Sequence, residues 1–191
     1  MTQQVQTHLI LGGARSGKSA YAEKQMCAWQ AQNDGVVYYL ATAPRTYPLQ
    51  QADGQTDTEM LQRIAQHQLQ RPSNWQTLEE PLYLAKALQE VEQFAATSSK
   101  KTAVLLDCLT LWMLNLIEAD CREAQTHAFL DYLESTNLKL IVVSNEVGLG
   151  VVPMGKLSRE FVDELGRLHQ AVAQRVEAVN FVTAGLPMRL K

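Results

Sequence analysis

The chain has 191 residues, 46% of them hydrophobic and 19% charged, which is enough to bury one full core and too little for two ordinary domains. A net charge of −3 supplies none of the basic excess that neutralises nucleic-acid phosphates, so nucleic acid is not an expected partner. Three cysteines, Cys27, Cys108 and Cys121, are odd in number and lack paired spacing; this fits neither a disulfide framework nor a zinc site and points to reduced thiols in a cytoplasm.

The N-terminal residues Met1 to Thr7 contain no basic segment ahead of an apolar one, and no run approaches the unbroken apolar length of a membrane span. A soluble, unexported protein is expected. The first strand candidate is His8-Leu9-Ile10-Leu11, and it runs directly into Gly12-Gly13-Ala14-Arg15-Ser16-Gly17-Lys18-Ser19. That octet matches the phosphate-binding pattern G-x-x-x-x-G-K-[ST], and it meets both contextual conditions of the pattern: it follows an apolar strand and opens a helix, read here over Lys18–Gln32.

The chemistry follows from the residue types. Glycines let backbone N–H groups turn toward one anion, and the helix start behind them adds its positive dipole end. Lys18 supplies a point charge to the β- and γ-phosphates, the Ser19 hydroxyl suits Mg²⁺, and Arg15 either reaches a phosphate or faces solvent.

A second strand is read over Val36–Leu40. Ala43 to Thr56, with Pro44, Pro48 and Gly54 breaking any period, reads as a loop. The helix candidate Thr58–Gln70 follows. On it Arg63 and His67, with Arg71 just beyond, fall four residues apart and stack two guanidinium groups around one imidazole. Neutral imidazole is a competent nucleophile toward activated phosphorus, so His67 is a candidate carrier of a nucleotidyl group. From spacing alone a packed or surface histidine is the simpler reading.

Further helices are read over Tyr83–Thr97, Thr110–Ile117, Glu123–Ser135 and Leu157–Val176, and further strands over Ala103–Leu106, Leu138–Val143 and Val179–Thr183. Asp107, closing the third of the five strands, has the position of a magnesium-steadying acid; a helix or turn cap is the alternative. His8, His127 and His169 have no comparable setting and read as structural. Glu146, after a strand, is open between roles, and no general base for a phosphoryl transfer is identified. The alternation of strands and helices predicts a single α/β domain over residues 1–191, a P-loop NTPase-like fold with a mainly parallel sheet.

The residues resemble the bifunctional adenosylcobinamide kinase/adenosylcobinamide-phosphate guanylyltransferases of cobalamin biosynthesis. The likeness rests on Gly12 to Ser19, Tyr39-Leu40-Ala41-Thr42-Ala43, Glu59-Met60 with Arg63-Ile64, His67 and Arg71-Pro72, and Trp75, Thr77 and Glu79. It continues through Leu106-Asp107-Cys108-Leu109-Thr110-Leu111-Trp112, Asn115-Leu116, Ser144 to Pro153 and the segment from Phe161 to Gln170. The later blocks are far more specific than the phosphate loop.

The resemblance implies phosphorylation of the hydroxyl of adenosylcobinamide with ATP or GTP, then transfer of GMP from GTP onto that phosphate, with His67 as the guanylylated residue. It also implies a nucleotide site of Gly12–Ser19, Ala41, Thr42, Ala43, Gln68, Leu69, Gln70, Arg71, Glu79 and Asp107, with Mg²⁺ held by Ser19 and Asp107, and a homotrimer. The sequence departs from the family pattern at Pro44 to Thr56, which is longer than in compact members, and at Met154-Gly155, where many members have Glu-Asn. The residues by themselves leave two rivals open: a simple P-loop kinase in which His67 only binds phosphate, and a nucleotide-switch module.

Overall fold

A computed structural model describes residues 6–43 and 72–191. The helix candidate Thr58–Gln70, with Arg63, His67, Gln68, Leu69 and Gln70, and also Arg71, lies outside the described residues, as does Pro44 to Thr56 of the expected loop.

The described strands are β1 (Thr7–Gly12), β2 (Val36–Ala41), β3 (Gln76–Glu79), β4 (Thr102–Asp107), β5 (Lys139–Asn145), β6 (Ala178–Thr183) and β7 (Leu186–Arg189). They form one seven-stranded sheet in the order β3-β2-β4-β5-β1-β6-β7. All pairings are parallel except β6 with β7. The described helices are α1 (Lys18–Asn33), α2 (Leu84–Thr97), α3 (Leu109–Glu118), α4 (Arg122–Ser135) and α5 (Lys156–Arg175).

The central strands are continuous apolar runs because helices cover both faces of a parallel sheet. Within β4 the strand period of two divides the load: Ala103 and Leu105 join the core that α1 covers with Ala22, Met26 and Trp29. Val104 and Leu106 join the larger core that α2 to α5 cover, where Trp112 and Phe129 meet edge to face at 5.3 Å.

Two strands depart from the expectations drawn from sequence, β3 and β7. Both are four-residue sheet edges, β3 mostly exposed and β7 wholly so, so neither carries the apolar run that announces a buried strand; Pro187 sits in β7, at an edge where a missing N–H is tolerated.

Parallel strands place their carboxyl ends along one side of the sheet. Gly12, Ala41, Glu79, Asp107 and Asn145 therefore share an edge, with Ala41 in register with both Glu79 and Asp107, and Gly12 in register with Asn145. The chain leaves β1 toward β2 through α1 on one face, and leaves β5 past β1 to β6 through α5 on the other. That reversal opens a crevice beside the carboxyl end of β1, where open α/β sheets bind ligands.

Candidate active site

The loop from Gly12 to Ser19 is shaped by contacts at both of its ends. Gly12 has no room for a side chain: a Cβ there would lie 2.5 Å from the Val182 carbonyl of β6 and 2.5 Å from Ser16 Oγ. Gly17 has φ 92°, and a Cβ would come within 3.0 Å of Gly185 Cα, so a conformation and a contact both demand glycine. The Gly185 N–H donates to the Ser16 carbonyl at 2.8 Å. The tip of the β6–β7 hairpin is thus a buttress for the loop, a role sequence reading missed because its residues lie far along the chain.

Inside this loop Lys18 is 8% exposed and its ammonium donates to the Gly13 carbonyl at 3.2 Å. Burial lowers its pKa, and the neighbouring Cys108 and Asp107 pull it part of the way back. The Ser16 hydroxyl is buried with no partner among the described residues, and nothing lies within 4 Å of the Cβ position of Gly13. A buried cation, an orphaned hydroxyl and open space beside glycine fit a phosphate chain.

Overfilling a packed position costs about 1–3 kcal/mol, and the Val182 carbonyl is fixed in the β1–β6 pairing. Gly12→Ala should therefore displace the loop and weaken nucleotide binding by about ten- to a hundredfold. Calorimetric titration with GTP checks this; an unaltered Kd contradicts the geometry.

Asp107 ends β4, one strand removed from β1, and its Oδ2 accepts the Tyr39 hydroxyl at 2.5 Å. Ser19, half-buried at the start of α1, and Asp107 are hard oxygen donors, the type Mg²⁺ takes one or two of while phosphates and water complete its shell. No cluster of three or more acidic, histidine or cysteine residues suited to a metal occurs among the described residues.

The segment Ala41–Ala43 divides by residue. Thr42 is fully buried; its hydroxyl donates to the Cys108 carbonyl at 2.9 Å and accepts from the Cys108 N–H at 3.1 Å, and its own carbonyl accepts the Asn115 side-chain amide at 2.9 Å. Thr42 therefore latches β2 to β4 beneath the edge, and Ala43, half-buried, stands above it. Glu79 lies exposed at the end of β3, and Arg15, with φ 56°, is exposed at the loop apex. His67, Gln68, Leu69, Gln70 and Arg71 lie outside the described residues.

Of the remaining histidines, His127 is exposed, and His8 is buried with its Nε2 2.7 Å from Asn180 Oδ1. His169 is buried too, but it belongs to a connected polar group at the carboxyl end of β5: its Nε2 is 2.7 Å from Ser144 Oγ and its Nδ1 is 3.7 Å from Glu146 Oε2. No helix among the described residues is long and apolar enough to cross a membrane.

Residues 8–190 match the family described as cobinamide kinase / cobinamide phosphate guanyltransferase. The chain is 47% identical over 186 residues to the bifunctional adenosylcobalamin biosynthesis protein CobP of Pseudomonas aeruginosa, covering 96% of each. It is 30% identical over 199 residues to the bifunctional adenosylcobalamin biosynthesis protein CobU of Escherichia coli, covering 96% of this chain and 98% of the relative. Among solved structures, an ATPase domain superposes with a TM-score of 0.52 at 14% identity, over 92% of this chain and 68% of that one; this likeness bears on the fold alone.

Proposed function

The chain belongs to the cobinamide kinase / cobinamide phosphate guanyltransferase family, and from that premise we propose that the glycine-cradled edge of its sheet serves one nucleotide in two different reactions. The enzyme is a bifunctional transferase of adenosylcobalamin biosynthesis: it phosphorylates adenosylcobinamide, and it transfers GMP from GTP to the resulting phosphate, giving adenosyl-GDP-cobinamide. The observation that carries the one-site reading is the buried Lys18 ammonium beneath an open glycine loop, with Asp107 on the same sheet edge across one intervening strand.

In this reading Gly12 to Ser19 hold the phosphates, and Lys18 stabilises the charge that builds on them in either transfer. Ser19 and Asp107 would hold Mg²⁺, which would supply positive charge to the phosphates. Tyr39 holds the Asp107 carboxylate in place, and Thr42 and Asn115 fix the strand ends from below. Ala41, Ala43, Glu79 and Gln68 to Arg71 complete the nucleotide site. The kinase step takes ATP or GTP.

His67 is the nucleophile of the second reaction: its imidazole attacks the α-phosphorus of GTP, pyrophosphate leaves, and the acceptor phosphate then takes the GMP. Residues 1–191 form one domain, a reading supported by the gathering of all described strands in one sheet. Free Cys27, Cys108 and Cys121 support a reducing, cytoplasmic setting, and the active assembly is a homotrimer. Incubation with α-labelled GTP tests the central step. An acid-labile, base-stable label mapping to His67 by mass spectrometry is the expected result, and an active enzyme that never takes up label would overturn it.

A further inference from the structure

Phosphorylating a hydroxyl requires that its proton go somewhere, and the reading above assigns no group to receive it. Four carboxylates lie on the described carboxyl-terminal edge, and Glu79, exposed at the end of β3, stands on its outermost strand. Glu80 accepts the backbone N–H groups of Leu82 and Tyr83, each at 2.8 Å, at the entry to α2. Asp107 accepts from Tyr39 beside Lys18. Glu146 stands immediately beyond the residue paired with Gly12, and its N–H donates to the Gly12 carbonyl at 3.0 Å, so its position is fixed to the first residue of the phosphate loop.

Behind Glu146 runs a chain of half-buried and buried polar groups. The Asn145 N–H donates to Thr110 Oγ1 at 2.7 Å, Thr110 Oγ1 lies 3.1 Å from Ser144 Oγ, and Ser144 Oγ lies 2.7 Å from His169 Nε2. His169 Nδ1 then faces Glu146 Oε2 at 3.7 Å. Ser144 is fully buried and His169 nearly so, whereas the Glu146 side chain is 21% exposed. Burial holds His169 neutral, lowering its pKa against the opposing pull of Glu146. Pairing along the chain offsets the cost of burying its polar groups, and the chain leads to the partly exposed Glu146 carboxylate.

The tautomer that serves Glu146 is the one in which the Ser144 hydroxyl donates to His169 Nε2; the ring N–H then sits on Nδ1, which faces Glu146 Oε2 at the solvent end of the chain. The other Glu146 oxygen, Oε1, accepts the Gly148 N–H at 2.5 Å, which pins the carboxylate from a second side.

We propose that Glu146 is the general base of the kinase reaction, taking the proton of the acceptor hydroxyl, and that His169, backed by Ser144 and Thr110, is its positioning residue. As the acceptor oxygen bonds to the γ-phosphorus, the bond from that phosphorus to the β–γ bridging oxygen breaks, the nucleoside diphosphate leaves, and the hydroxyl proton moves to the Glu146 carboxylate and on to solvent. Guanylyl transfer makes no such demand, because its acceptor is already a phosphate anion with no proton to give up.

The proposal rests on the kinase half of the function above, and the two separate experimentally. Glu146→Gln keeps the side-chain size and should lower phosphorylation of adenosylcobinamide by about 10²–10⁴-fold, the usual contribution of a general base, while transfer of GMP to adenosylcobinamide phosphate keeps its rate. Unchanged phosphorylation, or an equal fall in both reactions, would overturn the proposal; a wild-type enzyme unable to phosphorylate the acceptor would instead fail the functional reading itself. The His169 variants give a second measurement. His169→Asn preserves an N–H donor in the place of Nδ1, and His169→Gln preserves only the reach to Ser144, so the first should retain more kinase activity than the second, and equal or reversed losses contradict the positioning role.

Discussion

Lys18→Ala should slow both phosphoryl transfer and the loading of GMP by about 10²–10³-fold, the scale of removing one preorganised charge from a developing anion, and should do so without lowering the melting temperature. The two halves of this expectation have one cause. Lys18 is buried, its ammonium held 3.2 Å from a backbone carbonyl under the glycine loop, and burial lowers its pKa from the ordinary 10.5, with Cys108 and Asp107 opposing. A lysine whose folded-state pKa lies below its unfolded one binds its proton less tightly when folded. The charged form therefore costs stability at neutral pH, and the cost is relieved as pH rises from the folded value to about 10.5.

A phosphate chain beside the ammonium repays that cost, which is why a binding site tolerates it. Removing the charge therefore takes away rate and leaves stability unharmed. Single-turnover kinetics with thermal melts at pH 7 check both. A variant that loses activity only because it unfolds earlier contradicts the account.

His67→Ala should separate the two reactions. Without the imidazole no GMP is carried on the protein, so guanylyl transfer falls by orders of magnitude, on the order of 10⁴ or more as for loss of other covalent nucleophiles. Phosphorylation of adenosylcobinamide needs no covalent intermediate and continues. The measurement is a paired assay of both products from one preparation, with the γ-phosphoryl product quantified before GTP is added. Guanylyl transfer that persists in this variant would mean direct attack of the acceptor phosphate on GTP, and a parallel loss of both products would make His67 part of phosphate binding alone.

What the sequence disclosed and what it hid divide along physical lines. The phosphate loop was legible because its chemistry is local: eight consecutive residues supply the glycines, the lysine and the helix start, and the structure adds only the reason Gly12 and Gly17 cannot be larger. The central strands were legible because burial on both faces forces unbroken apolar runs, as in Val104 to Leu106. Strand β3, Gln-Thr-Leu-Glu, and strand β7 with Pro187 were not, since short exposed edges have no such pattern.

Site residues followed the same division. Thr42 was grouped with the nucleotide contacts on resemblance, and only the fold reveals that its hydroxyl and carbonyl are engaged in tying Cys108 and Asn115 to the end of β2. His169 read as structural because its partners, Ser144 and Glu146, are more than twenty residues away in sequence and meet it only when α5 packs against β5. The buttress at Gly185 is hidden for the same reason. The arginine ridge around His67 lies outside the described residues, so its support remains its spacing and the family to which the chain belongs.

The claim that joins these residues is that one nucleotide edge performs both transfers. A GTP analogue in which neither the α–β nor the β–γ bridge can be broken, offered as a competitor, tests it most directly. If both reactions draw on the cradle of Gly12 to Ser19, the analogue inhibits phosphorylation of adenosylcobinamide and GMP labelling of the protein competitively with nucleotide, with the same inhibition constant in each. Inhibition of one reaction alone, or two clearly different constants, would mean separate nucleotide sites and would contradict the account.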